Sequence, residues 1–323
     1  MRDSRPLSRW DSALGAYLSS RRALGRTYVP EEHVLRSLRA FLVRAGADDL
    51  DEQLFDRWRR KSSHLSTSTR LREERTVYKF CLYRSRSERR CFLPDPLSFV
   101  RLRPYPLPMI IGPEQIARLL TAASSLRSGS RSPIRSAVVR LAVVLLYTAG
   151  LRRGELARLT IDDVDASAGV LRIRDSKFHK TRWVPISRSA RTELRTYLRA
   201  RELAGLDQRP DAPLLCMQRT RAYTGDRLLN NLKALCAQAD VRDSAGRYPR
   251  VQDFRHSFAV GALLRWYETG ADVQVNLPKL ALYMGHVSIV STAYYLRFMP
   301  AVVAHAGQRF ERVFGDLIQG GAQ

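Results

Sequence analysis

The sequence predicts a mostly helical α+β protein with two domains and one small β-sheet. Three observations predict it. Apolar residues recur at helical spacing along most of the chain, punctuated by Gly and Pro. Two short strand-like runs, 170–174 and 182–186, flank a single polar turn. The stretch 94–108, PDPLSFVRLRPYPLP, holds five prolines, which fix φ and remove backbone donors, so no helix continues through it. It reads as a linker between a domain at 1–93 and another at 109–323. At 323 residues the chain is long enough for each to have its own core.

Composition narrows the partner before any motif is considered. The formal net charge is +24 and the sequence pI is near 10.8. Such an excess points to a polyanion, of which nucleic acid is the commonest. Only six of the 55 basic residues are Lys. A coding bias toward Arg would leave much of this charge as solvated surface, yet Arg is also the better bidentate ligand for phosphate. No apolar run approaches a membrane span, and residues 1–10 lack the apolar segment of a signal peptide, so the expected location is the cytoplasm. Cys81, Cys91, Cys216 and Cys236 are widely spaced and read as reduced and structural; no Cys/His pattern suggests a metal.

Four helices are expected in the first half. Residues 7–24 form the first, ended by Gly25. Residues 31–45 follow Pro30 and stop at Gly46, with Val34, Leu35, Leu38, Phe41 and Leu42 on one face. Residues 51–60 and 66–84 form the third and fourth, the last burying Leu71, Val77, Phe80 and Cys81. The segment KSSHLSTSTRLREER before and within the fourth is rich in hydroxyls and positive charge. A helix N-terminus of this kind suits phosphate contacts, although for any single Ser an ordinary cap is the simpler reading.

In the second half, helices are expected at 113–124 and from Ser132, as N-cap, to Gly150. Immediately after comes LRRGEL, with Arg152 at the end of a buried helix. A buried Arg needs an anion. Glu155 is the internal choice and a phosphate is the functional one. The hairpin turn DSKFHKT carries Lys177, His179 and Lys180. Helices at 188–203 and 226–239 precede a nearly all-apolar helix at 253–268, whose first turn holds Arg255 and His256. Residues 284–296, MGHVSIVSTAYYL, end the pattern with His286 and two tyrosines. On an α-helix Tyr294 shares a row with Val290 and Phe298, which suggests core. Tyr295 shares one with Ser291 and Thr292, which suggests a ligand-facing side. Two Arg at helix ends, a hairpin Lys, a His and a Tyr suit phosphoryl transfer to tyrosine without metal or nucleotide cofactor. A last amphipathic helix is expected at 301–318.

In these motifs the chain resembles the tyrosine recombinases, the phage-integrase and Xer-like family. TAGLRRGEL resembles the first arginine box, QDFRHSFA the second, and MGHVSIVSTAYYL the final box. The resemblance implies Arg152 and Arg255 as phosphate-binding residues, Lys177 as general acid, His286 as phosphate support and Tyr295 as nucleophile. It also implies that the helical first domain binds DNA and that the two domains close as a C-shaped clamp on the duplex. Four protomers on two DNA sites, exchanging C-terminal helices, and a site-specific recombinase of a mobile element follow from the same likeness. One position departs: Gln252 stands where the second box usually has His. Gln can hydrogen-bond a phosphate oxygen but cannot exchange a proton near neutral pH. Gln252 keeps a cleavage-deficient DNA-binding subunit open as an alternative, and a monomeric type IB topoisomerase-like nicking enzyme is a separate one.

Overall fold

The computed structural model describes residues 8–25, 27–102, 107–174, 181–218, 220–286 and 288–298. It is mostly helical with one three-stranded sheet, and it divides into two compact units, Met1–Pro106 and Leu107–Gln323.

The first unit contains α1 (Ser8–Ala23), α2 (Val29–Ala45), α3 (Glu52–Lys61) and α4 (Thr67–Arg84). Their ends have local causes. Pro30, Glu31 and Glu32 occupy the first turn of α2, and Gly46 ends it in the left-handed region, donating its N–H to Leu42 and Val43 carbonyls. Asp51 and Ser66 cap α3 and α4 by accepting from Leu54 and Thr69 N–H groups. The apolar faces meet around Trp10, Tyr17, Leu35, Leu38, Leu42, Val77 and Phe80. The proline-rich stretch is not a bare connector throughout. Phe99 is buried in this core, Val100 N–H donates to Glu74, and Arg59 donates to the Ser98 carbonyl. The chain thus stays packed on the first unit to residue 100, past the expected boundary at 93.

The second unit contains α5 (Pro113–Ser124), α6 (Arg135–Thr148) and α7 (Arg153–Arg158). The strands β1 (Val164–Asp165), β2 (Val170–Ile173) and β3 (Arg182–Pro185) follow. Then come α8 (Arg188–Leu203), α9 (Gly225–Gln238), α10 (Val251–Glu268), α11 (Val273–Met284) and α12 (Val290–Ala293). The sheet is antiparallel in the order β1-β2-β3, with Leu171 opposite Val184 and Ile173 opposite Arg182. Leu171, Ile173 and Val184 are buried, so Arg182 lies on the sheet face turned to the core. Helix α6 is the centre of this core and packs on α5, α8, α9 and α10. It starts later than expected. Ser132 does not cap it, because its hydroxyl is bonded to that of Tyr223 at 2.5 Å and its backbone bridges to Gly129. The hairpin tip with Lys177 and His179, and the helix expected at 301–318, lie outside the described residues. No helix among the described residues is long and apolar enough to cross a membrane.

The chain leaves α6 through Gly150, whose φ is +58°. A Cβ there would meet the Phe258 ring at 2.5 Å. Gly150→Ala therefore combines left-handed strain with a clash, and it is expected to cost at least about 1–3 kcal/mol. A drop in the urea midpoint checks this; an unchanged midpoint would contradict it.

Candidate active site

Arg152 is placed by the turn after α6 and by the start of α7. It is the N-cap residue, with extended backbone. Its N–H donates to Glu155 Oε2 at 2.9 Å, and its Nη1 donates to Glu155 Oε1 at 2.7 Å. Its Nη2 donates to the Gly285 carbonyl at 2.8 Å. The internal ion pair weighed from sequence thus exists. It does not exhaust the charge, because Arg182 claims the same carboxylate through both oxygens, at 3.0 and 2.9 Å. Burial alone would raise the Glu155 carboxyl. Hydrogen bonds from Arg182 and from the Arg152 N–H outweigh it and hold the group down at about 2.

Arg255 enters from the second turn of α10 and is 1% exposed. Its Nη1 donates to the Gly150 carbonyl and its Nη2 to that of Met284 at 2.6 Å. Among the described residues no carboxylate pairs with it. Burial first, then the neighbouring Arg152, push its guanidinium down to about 10, still protonated at neutral pH. A buried cation neutralised only by carbonyl dipoles is an anion site in waiting.

Gly285 ends α11 in the left-handed region and turns the chain to His286. His286 Nδ1 lies 2.7 Å from the hydroxyl of buried Thr292, which leaves Nε2 for another partner. Burial, then Arg255 and Arg152, push the imidazole down to about 4, so it is neutral at pH 7. The Tyr295 ring lies nearly parallel to it, centroids 6.4 Å apart. Tyr295 Oη is 3.1 Å from His256 Nδ1. Burial raises the Tyr295 phenol, and Arg255 and Arg152 pull it back. Burial lowers His256.

The structure therefore gathers Arg152, Arg255, His286 and Tyr295, with His256 beside the phenol. Gln252 is exposed, one turn before His256 on α10. The imidazole that reaches the tyrosine is His256, not a group at position 252. Lys177 lies outside the described residues.

The expected helix faces of the two tyrosines are reversed. Tyr295 is 3% exposed and Tyr294 is 39% exposed. The cause is a change of helix type: α12 ends at Ala293 and residues Tyr294–Phe298 form a 3₁₀ turn, so rows read at α spacing do not apply. Two residues have roles that sequence reasoning missed. Thr292 reads from sequence as part of a polar, ligand-facing row, but it is buried and bonds His286. Arg182 did give a signal, since it shares a strand face with buried Val184.

Comparison with known proteins identifies the family of the chain. The phage integrase family model matches residues 110–300. A putative integrase/recombinase of Sinorhizobium fredii, y4rB, is 32% identical over 317 residues, covering 96% of this chain and 99% of its own. The tyrosine recombinase XerA of Pyrococcus furiosus is 31% identical over 170 residues, 53% of this chain and 54% of its own. Among solved structures, the Tn1549 transposon integrase in complex with circular intermediate DNA aligns with a TM-score of 0.65 at 18% identity. That alignment covers 93% of this chain and 99% of the other. XerH bound to its palindromic difH substrate aligns at 0.60 and 18% identity, covering 87% and 77%. These structural likenesses are ones of fold. The family match and the full-length relative go further: the chain belongs to the phage integrase family of tyrosine recombinases, enzymes that break and rejoin DNA.

Proposed function

We propose that this protein is a site-specific recombinase of a mobile element, acting on duplex DNA in the cytoplasm through a 3′-phosphotyrosine intermediate. The observation that carries the reading is the buried Tyr295 hydroxyl beside two arginines, one of which, Arg255, has no carboxylate partner among the described residues. In this reading a DNA phosphodiester enters between Arg152, Arg255 and neutral His286. Tyr295 Oη attacks phosphorus and passes its proton to His256. The P–O5′ bond breaks, and Lys177 protonates the departing 5′ oxygen. The phosphotyrosine keeps the energy of the broken bond, so the 5′ hydroxyl of a partner duplex can reverse the step with no nucleotide cofactor. Four protomers on two sites, linked through residues 301–318, would supply that partner.

The test uses a duplex from the ends of the element, nicked close to the cleavage point so that the short 5′ fragment diffuses away. Wild-type protein is expected to form an SDS-resistant adduct whose DNA-linked peptide contains Tyr295. Tight binding with no adduct, turned into cleavage by Gln252→His, would instead identify a cleavage-deficient subunit. Binding itself is expected to weaken steeply with salt, log K falling by about 0.9 per decade of salt for each phosphate contact. A salt-independent affinity would contradict the basic surface as the DNA-binding determinant.

A further inference from the structure

Three buried or half-buried arginines meet Glu155's neighbourhood, and the mechanism above uses only two. Arg182 reaches the cluster from β3, with its side chain 9% exposed. It grips both Glu155 oxygens, and its Nε donates to the Tyr283 carbonyl at 2.8 Å. Its guanidinium also rests on Gly285, where an added Cβ would stand 2.9 Å from Nη1. One side chain thus joins the hairpin strand to the start of α7 and to the turn that presents His286.

The arrangement bears on Arg152. A guanidinium prefers to take both oxygens of a carboxylate, and Arg152 stands three residues from Glu155 with one oxygen already at 2.7 Å. If Glu155 were free to turn, it would pair with Arg152 through both oxygens and neutralise it. Arg182 blocks this by holding the carboxylate in its own plane. With Arg182 in place the cluster of Arg152, Arg182, Arg255 and Glu155 keeps an excess of positive charge, suited to a phosphate whose negative charge grows in the transition state. We propose that Arg182 is a positioning residue for strand cleavage, occupying Glu155 so that Arg152 remains available to the scissile phosphate. The proposal rests on the recombinase reading of this pocket.

Single-turnover cleavage of the nicked duplex separates this role from simple structural support. The variants are Arg182→Gln, Arg182→Lys and the double variant Arg182→Gln/Glu155→Gln, each with its DNA affinity and melting temperature measured. Arg182→Gln is expected to lose about 100-fold in cleavage rate while its affinity for DNA stays within about threefold. The double variant is expected to regain about tenfold or more over Arg182→Gln, because the carboxylate that captured Arg152 is gone. Arg182→Lys keeps the charge and guards against a folding failure of the Gln variant. Its rate should fall between the other two, since an ammonium cannot hold both oxygens in plane. A double variant no faster than Arg182→Gln, or Arg182→Lys at wild-type rate, would overturn the proposal. A wild-type protein without an adduct would overturn the recombinase reading, and this proposal with it; a reactive wild type beside a reactive Arg182→Gln overturns this proposal alone.

Discussion

Tyr295→Phe is expected to fold normally and to form no covalent adduct, with cleavage reduced by more than about 10⁴-fold. The substitution removes one oxygen. Among the described residues that oxygen has a single hydrogen-bond partner, His256 Nδ1 at 3.1 Å, so the stability lost is only about 1 kcal/mol. The ring keeps its place between His256 and His286. Binding of DNA should be nearly unchanged, because the arginines proposed to receive the phosphate are untouched. Tyr294→Phe is the control: Tyr294 is exposed, and its adduct is expected at the wild-type level. Adduct formation by Tyr295→Phe, or its loss in Tyr294→Phe, would move the nucleophile to the other tyrosine. Gel electrophoresis after SDS treatment reads all three proteins directly.

Glu155→Gln is the second large effect, and it falls on stability. The carboxylate is buried and holds two guanidinium groups, one of them almost fully buried. Removing it leaves those charges uncompensated, which is expected to cost about 3–5 kcal/mol at pH 7. The wild type carries a matching pH signature. The folded protein holds this carboxyl at about 2 against an ordinary value of 4.5, so the contribution is complete above the ordinary value and disappears as the pH falls through 2. Its size is roughly 3 kcal/mol. Glu155→Gln should lose that part of the acid dependence while remaining less stable at neutral pH. Equal urea midpoints for the two proteins at pH 7 would contradict the role given to this carboxylate.

Much of the site was legible because its residues are expensive to bury. Arg152 and Arg255 stand out in apolar surroundings, and that contrast survives into the structure as donors aimed at carbonyls and one carboxylate. The helices of the first unit were legible for a different reason: Gly46, Asp51 and Ser66 are turn and cap residues whose chemistry is local. What was not legible depends on tertiary context. Ser132 carries every mark of a cap, yet its hydroxyl is taken by Tyr223, distant in sequence. Phe99 lies among prolines but fills a core. The exchange of Tyr294 and Tyr295 follows from a switch between helix types that no periodicity announces.

Arg152 and Arg255 are aimed largely by main-chain carbonyls, those of Gly150, Met284 and Gly285. A carbonyl cannot be removed by point mutation. Substitution around these turns can therefore proceed through ordinary sequence drift without erasing the groups that orient the guanidiniums, provided the backbone path is kept. A saturation scan would then map sensitivity onto Gly150 and Gly285, whose left-handed backbone sets that path, more sharply than onto side chains beside them. Robustness of this kind ties the orientation of Arg152 and Arg255 to the path of the backbone rather than to the identity of their neighbours.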